Sequence, residues 1–170
     1  ELHNEKRRLE LDINKVDKDH HDHFLNGAIF EVYDKTAKSY VTTLASGQLM
    51  IVGNDVNEEY EISKDEDFTK IIKTVKTDEN KQIILDMDDG TYYSRKVGDD
   101  KVSKHVIKDG KAVLADAIYG HEYEFKEIKA PTSYQLADKS KAYKVEADKE
   151  TDTIIYYFEN ARIVVPNTGV

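Results

Sequence analysis

Alternating apolar and polar positions dominate this chain and predict β-strands. The alternation runs through residues 9–15, 123–128 and 153–160. Because successive side chains of a strand point to opposite faces, each segment is expected to bury one face and expose the other. Shorter apolar runs that also predict strands lie at residues 40–44, 48–52, 82–87, 92–97, 112–114 and 143–147. The chain is therefore predicted to be mostly β.

Three polar side chains fall on the apolar faces of the alternating segments. Lys15 extends the apolar face of the first strand, Glu127 that of the strand at residues 123–128, and Asn160 that of the last strand. Burial of a charged group costs free energy unless the group is paired. Taken singly, a lysine or glutamate in such a position is also typical of a strand edge, where the charge reaches water or an ion-pair partner.

One segment has the periodicity of a helix. Ser63-Lys64-Asp65-Glu66 has the form of a capping box. Apolar residues then follow at helical spacing, at Phe68, Ile71, Ile72 and Val75. The pattern predicts a helix over residues 64–76, capped by Ser63, whose apolar face packs on neighbouring strands. Further along, the strands at residues 82–87 and 92–97 flank Asp88-Asp89-Gly90, which predicts a β-hairpin.

The amino-acid composition of the chain excludes some kinds of site and partner. The chain has 170 residues, no cysteine and a formal net charge of −9. The missing cysteines exclude disulfides and thiolate metal sites, and the negative charge argues against a nucleic-acid partner. Residues 54–90 contain 12 Asp and Glu against 5 Lys, so this piece carries most of the charge. Its acidic surface is interpreted as a solvated face.

A histidine-rich loop follows the first strand. His20, His21 and His23 stand there with several aspartates, and imidazole and carboxylate groups are ordinary metal ligands. The loop lacks the glycine and the distal glutamate of an EF-hand. It is therefore interpreted as a solvated turn, and neither a metal nor a cofactor is predicted for this chain.

A motif at residues 120–134 gives the chain a family resemblance. Its positions are Gly120, Tyr123, Phe125, Glu127, Ala130, Pro131 and Tyr134. The motif resembles the E-box of the collagen-adhesin B-type (CnaB-like) domains of Gram-positive surface proteins and pilins, except that Ser133 stands where the family usually has glycine. Residues 11–17 and 25–30 also resemble the family's opening pattern, and the last strand ends in Asn160 as the family's does.

The resemblance implies a self-made cross-link between Lys15 and Asn160. Burial lowers the pKa of a lysine and raises that of a glutamate. The neutral Lys15 amine would attack the side-chain carbon of Asn160 while protonated Glu127 donates to the Asn160 carbonyl and relays protons. Ammonia leaves and an isopeptide bond forms. Such a reaction turns over once, so the resemblance implies a structural domain rather than an enzyme.

The fold implied by the resemblance is a CnaB-like, reverse-immunoglobulin or transthyretin-like β-sandwich with a large α/β insertion. The sandwich is expected over residues 9–163 and the insertion over about 34–108. Residues 1–8 are expected to be a remnant and linker of a preceding similar domain, because His3-Asn4-Glu5-Lys6 resembles Glu159-Asn160-Ala161-Arg162.

Residues 164–170 are expected to be a sorting segment. Val165, Pro166, Asn167, Thr168 and Gly169 resemble the sortase signal LPxTG, with valine in place of leucine. The resemblance implies the wall-proximal, C-terminal domain of a sortase-anchored pilin or surface adhesin. Its location would be extracellular with covalent attachment to the cell wall, and its partners a sortase and a peptidoglycan precursor or neighbouring pilin subunit. An alternative hypothesis is a ligand-binding adhesin domain whose acidic insertion recognises a host matrix protein or glycan.

Overall fold

The computed structural model describes residues 7–148 and 150–165, and within these ranges the chain forms fourteen β-strands and no helix. The strands are β1 (Arg8–Asp17), β2 (His20–Phe24), β3 (Ile29–Asp34), β4 (Ser39–Ala45), β5 (Gln48–Val52), β6 (Glu59–Ser63), β7 (Ile71–Lys76), β8 (Gln82–Asp86), β9 (Gly90–Lys96), β10 (Ser103–Ile107), β11 (Lys111–Ile118), β12 (Glu122–Lys129), β13 (Lys141–Lys144) and β14 (Thr153–Asn160). The described part of the chain accordingly offers no helix that could cross a membrane.

The strands are arranged in three sheets. The first has the order β11-β1-β14, with β2 paired to the end of β1. The second has the order β13-β12-β3-β4-β5-β8, and the third the order β10-β9-β6-β7. Among the pairings of the described strands, only that of β1 with β14 is parallel. The first and last strands therefore lie side by side and run in the same direction.

The main core lies between the first and second sheets. The inward side chains of β1, β3, β11, β12 and β14 form it, and Leu11 and Ile13 of β1 are fully buried there. Phe30 stands edge-on to Phe125 and Phe158, with ring centroids 5.8 and 4.8 Å apart, a favourable geometry for aromatic pairs. The predicted alternation builds this core, and the expectation of a mostly β sandwich is confirmed.

The segment expected as an insertion contains β4 to β10. Strands β4, β5 and β8 extend the second sheet beyond β3, and the other four form the third sheet. A smaller core lies between these two layers, built from Leu49, Ile51, Ile62, Ile83, Tyr92 and Ile107. The segment thus has apolar packing of its own and is also joined to the main sandwich by the pairing of β3 with β4.

The helix predicted over residues 64–76 is wrong, and with it the α/β character of the insertion. Ser63 is the last residue of β6, and β7 returns antiparallel to β6. In the connecting loop, the Asp65 carboxylate accepts hydrogen bonds from the backbone N–H groups of Thr69 at 3.2 Å and Lys70 at 2.9 Å. Phe68 has a φ of 57°, in the left-handed region. The loop therefore uses its polar side chains to close a hairpin and not to begin a helix.

The hairpin predicted around Asp88-Asp89-Gly90 is also wrong. Strand β8 pairs with β5 in the second sheet, whereas β9 pairs with β6 and β10 in the third. The turn therefore crosses from the second sheet to the third. The Tyr92 hydroxyl stabilises it by donating a hydrogen bond to the Asp88 carbonyl at 2.7 Å. Ile83 and Tyr92 enter the smaller core from its two layers, so the two strands bury their apolar faces against each other instead of lying edge to edge.

Candidate functional site

Lys15 lies inside the main core near the end of β1. Its side chain follows Leu11 and Ile13 on the inward face and is fully buried. The amine donates to the backbone carbonyl of Phe158 at 2.8 Å. In the parallel pairing of β1 with β14, Lys15 stands opposite Phe158 and Asp17 opposite Asn160. The Lys15 amine therefore contacts β14 two residues before Asn160.

Burial dominates the electrostatics of Lys15. Loss of hydration lowers its pKa from 10.5 to about 8, although the charges of Glu127, Glu159 and Asp17 act in the opposite direction. At pH 7 about a tenth of the Lys15 side chains are therefore neutral, compared with fewer than about one in a thousand for an exposed lysine. The neutral amine is the nucleophilic form, so burial increases the nucleophilic fraction of the Lys15 side chain.

Glu127 reaches the site from β12. The pairing of β12 with β3 shifts register between Glu127 and Lys129, and such a bulge re-aims a side chain. Glu127 is buried, and its Oε1 accepts from Asn160 Nδ2 at 2.7 Å and from the Ala137 N–H at 2.9 Å. The expected contact with the Asn160 carbonyl oxygen is not the one observed, because Glu127 contacts the amide nitrogen instead.

Two buried oxygen atoms are left without partners beside this contact. Asn160 Nδ2 donates to Glu127 Oε1 and to the Gln135 carbonyl, the latter at 2.8 Å. Asn160 Oδ1 and Glu127 Oε2 have no hydrogen-bond partner within residues 7–148 and 150–165. Most buried polar atoms in folded proteins are paired, so an unpaired carboxyl oxygen and an unpaired amide oxygen in one site require an explanation, and reaction chemistry is one.

The segment after β12 also belongs to the site, although sequence reasoning gave it no role there. Gln135 and Ala137 contact Asn160 and Glu127 through backbone groups, which no side-chain pattern reveals. Ser133 has a φ of 72°, where glycine is unstrained, and this accounts for the glycine of the family motif. The Tyr134 hydroxyl donates to Asp17 at 2.6 Å. The position of Tyr134 in the motif was the sequence feature that could have indicated the role of this segment in the site.

Of the residues predicted as a sortase signal, the structure describes Val165 alone. Val165 is 80 % exposed, while Pro166, Asn167, Thr168 and Gly169 fall outside the described residues, as do residues 1–6.

The three histidines of the loop lie on β2 and are exposed. The His21 ring stacks on Tyr157 with centroids 5.1 Å apart, and its Nε2 contacts the Glu159 carboxylate. No group of three or more metal-ligating side chains suited to an ion occurs in the described ranges. The absence of a tight metal site remains a prediction.

Comparisons with known proteins assign this chain to a family. The family model described as "SpaA: Prealbumin-like fold domain" matches residues 10–162. Among solved structures, the minor pilin GBS52 of Streptococcus agalactiae is 22% identical, with a TM-score of 0.45, and the match covers 97% of this chain and 49% of that one. The full-length major pilin SpaD of Corynebacterium diphtheriae is 19% identical, with a TM-score of 0.40, over 94% of this chain and 32% of that one.

The chain thus spans half or less of the length of these two pilins. Both TM-scores are below 0.5, so the assignment depends on the family model. No curated protein sequence matches the chain. The family model covers β1 to β14 almost completely, including Lys15, Glu127 and Asn160. The chain belongs to the SpaA prealbumin-like fold domain family.

Proposed function

We propose that this chain is a structural domain of a Gram-positive pilus or surface adhesin, strengthened by an isopeptide bond between Lys15 and Asn160. One observation carries the proposal. A fully buried lysine of lowered pKa contacts the parallel strand that ends in Asn160, and the Asn160 amide nitrogen is hydrogen-bonded to the buried carboxyl group of Glu127.

The chemistry is an amide exchange. The neutral Lys15 amine adds to Asn160 Cγ, the new C–N bond forms, and the carbonyl electrons move onto Oδ1. When the carbonyl re-forms, the bond from Cγ to Nδ2 breaks. Glu127, whose Oε1 lies 2.7 Å from Nδ2, is placed to give the departing nitrogen a proton. The proton that Lys15 loses restores the carboxyl group, so one ammonia leaves and no other reactant is consumed.

The role of such a bond is mechanical and thermodynamic. A reaction in which each chain modifies itself once has no multiple turnover. The chain is therefore a structural component and not an enzyme. The two solved structures named above are pilins by their descriptions, which fits a stalk domain outside the cell. The rigid sandwich holds the reacting groups close together, so the reaction needs no external catalyst.

Covalent anchoring to the cell wall is a further part of the proposal and depends on the motif at residues 165–169 alone. A sortase would cleave between Thr168 and Gly169 and transfer Thr168 to a peptidoglycan precursor or a neighbouring pilin subunit, in a wall-proximal position. Incubation of the chain with a sortase and an amine nucleophile should join the amine to Thr168. Attachment elsewhere, or Thr168→Ala reacting equally well, would contradict this role.

Mass spectrometry of the purified chain tests the cross-link directly. The wild-type mass should be one ammonia below the sequence mass. Lys15→Ala removes the nucleophile and Glu127→Ala removes the proton relay, so both variants should have the full mass. Lys18→Ala and Glu124→Ala are matched controls, because these residues are not buried and their loss should leave the mass deficit unchanged.

The outcomes separate the bond from the role of Glu127. A wild-type chain at full mass would exclude the cross-link. Ammonia loss that persists in Glu127→Ala would keep the bond and remove Glu127 from the mechanism. Digestion followed by fragment sequencing should give a branched peptide that joins the segments around Lys15 and Asn160.

Ligand binding by the insertion is a second candidate function, favoured by one observation. A cleft of about 600 Å³ is lined by residues of β4, β5, β9, β10 and β11, so all three sheets border it. Several of its apolar lining residues are exposed, namely Tyr40, Val41, Val52 and Val102. Binding of matrix proteins or glycans by the intact chain, lost in a Tyr40→Ser, Val52→Ser double variant and kept in Tyr33→Ser, would support this function.

A further inference from the structure

Asp17 forms a buried polar cluster beside the reacting groups. It ends β1, is 2 % exposed, and stands opposite Asn160 in the parallel pairing. Its Oδ2 accepts from the Tyr134 hydroxyl at 2.6 Å and from Arg162 Nε at 3.2 Å. Its Oδ1 accepts from the Asp19 N–H at 2.8 Å. We call Asp17, Tyr134 and Arg162 the Asp17 latch.

The Asp17 latch joins the two segments that follow the reacting side chains. Tyr134 belongs to residues 131–137, which follow the strand of Glu127, and Arg162 belongs to residues 161–165, which follow Asn160. The segments also pair with each other, since the Gln135 N–H donates to Ala161 at 2.8 Å and the Ile163 N–H donates to Ser133 at 3.0 Å. The Arg162 guanidinium lies 5.5 Å from the centroid of the Tyr134 ring.

The first of these segments contacts both groups that must be aligned. The Gln135 carbonyl accepts from Asn160 Nδ2, and the Ala137 N–H donates to Glu127 Oε1. Displacement of the Asn160 amide or of the Glu127 carboxyl group from its observed place would break these hydrogen bonds. The position of residues 131–137 therefore determines the orientation in which the two side chains meet, and Tyr134, which immediately precedes Gln135, attaches that segment to β1.

We propose that Asp17 is a positioning residue for the cross-linking reaction, acting through Tyr134 and Arg162 to hold residues 131–137 against the Asn160 amide. The inference rests on the proposed function. Asp17 contacts none of the reacting atoms in the hydrogen bonds described, so its contribution is the geometry of Asn160 and Glu127. The latch forms only when the ends of β1, β12 and β14 have come together, which couples the reaction to completed folding.

The charge of Asp17 gives the latch a second, opposite effect. Together with Glu127 and Glu159, Asp17 raises the pKa of Lys15 against the larger effect of burial. Pairing with Arg162 offsets part of this charge, and so does His20 when it is protonated, because its Nδ1 lies 3.7 Å from Asp17 Oδ1. Replacement of Asp17 by asparagine should therefore weaken the latch and at the same time lower the pKa of Lys15, whereas Tyr134→Phe should weaken the latch without removing the charge.

Cell-free synthesis of the full chain, sampled over time by mass spectrometry, tests the proposal. Tyr134→Phe should slow ammonia loss by about tenfold or more, because small misalignments of reacting groups are costly in rate. Tyr33→Phe, an exposed tyrosine on β3, is the matched control and should react at the wild-type rate. Asp17→Asn should also react slowly, and the midpoint of its rate against pH should move to lower pH.

A second measurement separates positioning from a general loss of stability. In a Lys15→Met background, which cannot cross-link, Tyr134→Phe should speed amide exchange at Gln135 and Ile163 at least tenfold over the same background. The amide of Ile62, in the smaller core, should exchange unchanged. Faster exchange at all three positions would mean that the variant destabilises the whole fold, and would overturn the positioning role.

The outcomes distinguish this inference from the proposed function. If the wild-type chain loses no ammonia, both the cross-link and the positioning role of Asp17 are excluded. If the wild-type chain loses ammonia and Tyr134→Phe does so at the same rate, only the latch is overturned. An Asp17→Asn variant whose pH midpoint stays at the wild-type value would likewise contradict the placement of Asp17 beside Lys15.

Discussion

Two lysines of this chain show how surroundings decide what a side chain can do. Lys15 is buried and its pKa is lowered to about 8. Lys108 is half-buried between Glu10 and Asp12, with its amine 2.9 Å from Asp12 Oδ2. Burial by itself would lower the pKa of Lys108, but the hydrogen bonds and charges of these two carboxylates together raise it. Lys108 is thus held as a charged ion-pair partner. At Lys15 the nearby carboxylates do not outweigh the loss of hydration, so of these two lysines Lys15 has the larger fraction of neutral amine.

The rate of cross-linking should depend on pH through Lys15. The neutral amine reacts, so the rate should rise about tenfold per pH unit below pH 8 and level off above it. Ammonia loss followed during cell-free synthesis in buffers from pH 6 to 9 measures this dependence. Lys108→Met should leave the midpoint in place. A rate that falls as pH rises from 6 to 8 would contradict control of the rate by deprotonation of Lys15.

At the scale of elements, the loop from β6 to β7 shows why a helical pattern formed a hairpin. The Asp65 carboxylate accepts hydrogen bonds from the backbone of Thr69 and Lys70 and from the hydroxyl groups of Ser63 and Thr69. The hydrogen bond from the Ser63 hydroxyl to Asp65 Oδ1 is 2.8 Å long. These contacts organise a turn that a helix would not contain. Beyond it, the β-branched residues of β7 favour extended backbone and pair with β6.

Removal of the Asp65 carboxylate should loosen this loop. Asp65→Ala is expected to lower the Tm, while Asp67→Ala, at an exposed neighbouring position, should leave it near the wild-type value. Because hydrogen bonds lower the pKa of Asp65, its contribution is present above about pH 4 and is lost as pH falls further. The Tm difference between wild type and Asp65→Ala should therefore shrink on acidification. A constant difference from pH 7 to pH 2 would contradict this assignment.

At the scale of the molecule, the parallel pairing of β1 with β14 determines how the domain carries force. Tension applied through Arg8 at the start of β1 and through Asn160 at the end of β14 loads the pair in shear, along its eight paired positions. Lys15 and Asn160 lie at the same end of this pair. A bond between them passes the load from β1 to the chain after β14, and β2 to β13 then lie outside the load path.

Single-molecule pulling should show this directly. The wild-type domain should give no unfolding step, whereas Lys15→Ala should unfold with an extension of roughly 500 Å, the span of the released loop. The same loop closure predicts that the cross-link adds about 5 kcal/mol to the free energy of unfolding, and that Lys15→Ala lowers the Tm. Lys18→Ala is the control for both measurements. A wild-type unfolding step of the full length would contradict a bond at these positions.

The main sandwich and the residues of the candidate site can be predicted from the residue pattern of individual strands. Alternation with period two is a property of each strand alone, so β1, β12 and β14 and their inward faces could be predicted without knowing their partners. Lys15, Glu127 and Asn160 stood out because a polar residue on an apolar face is visible in the same alternation. The structure brings Glu127 and Asn160 into contact and places Lys15 on the adjacent strand.

Features that depend on which surfaces meet could not be predicted in this way, because they result from long-range packing. The apolar residues at 68–75 fit a helix or a strand, and pairing with β6 together with the hydrogen bonds of Asp65 selected the strand. The runs flanking Asp88-Asp89-Gly90 fit a hairpin, but burial of Ile83 and Tyr92 in a shared core put them in different sheets. The backbone contacts of Gln135 and Ala137 leave no trace in residue type. Local periodicity therefore specified the inward faces, while long-range packing specified what covers them and also buried Asp12 and Asn14 on the other face of β1, which the alternation had predicted to be exposed.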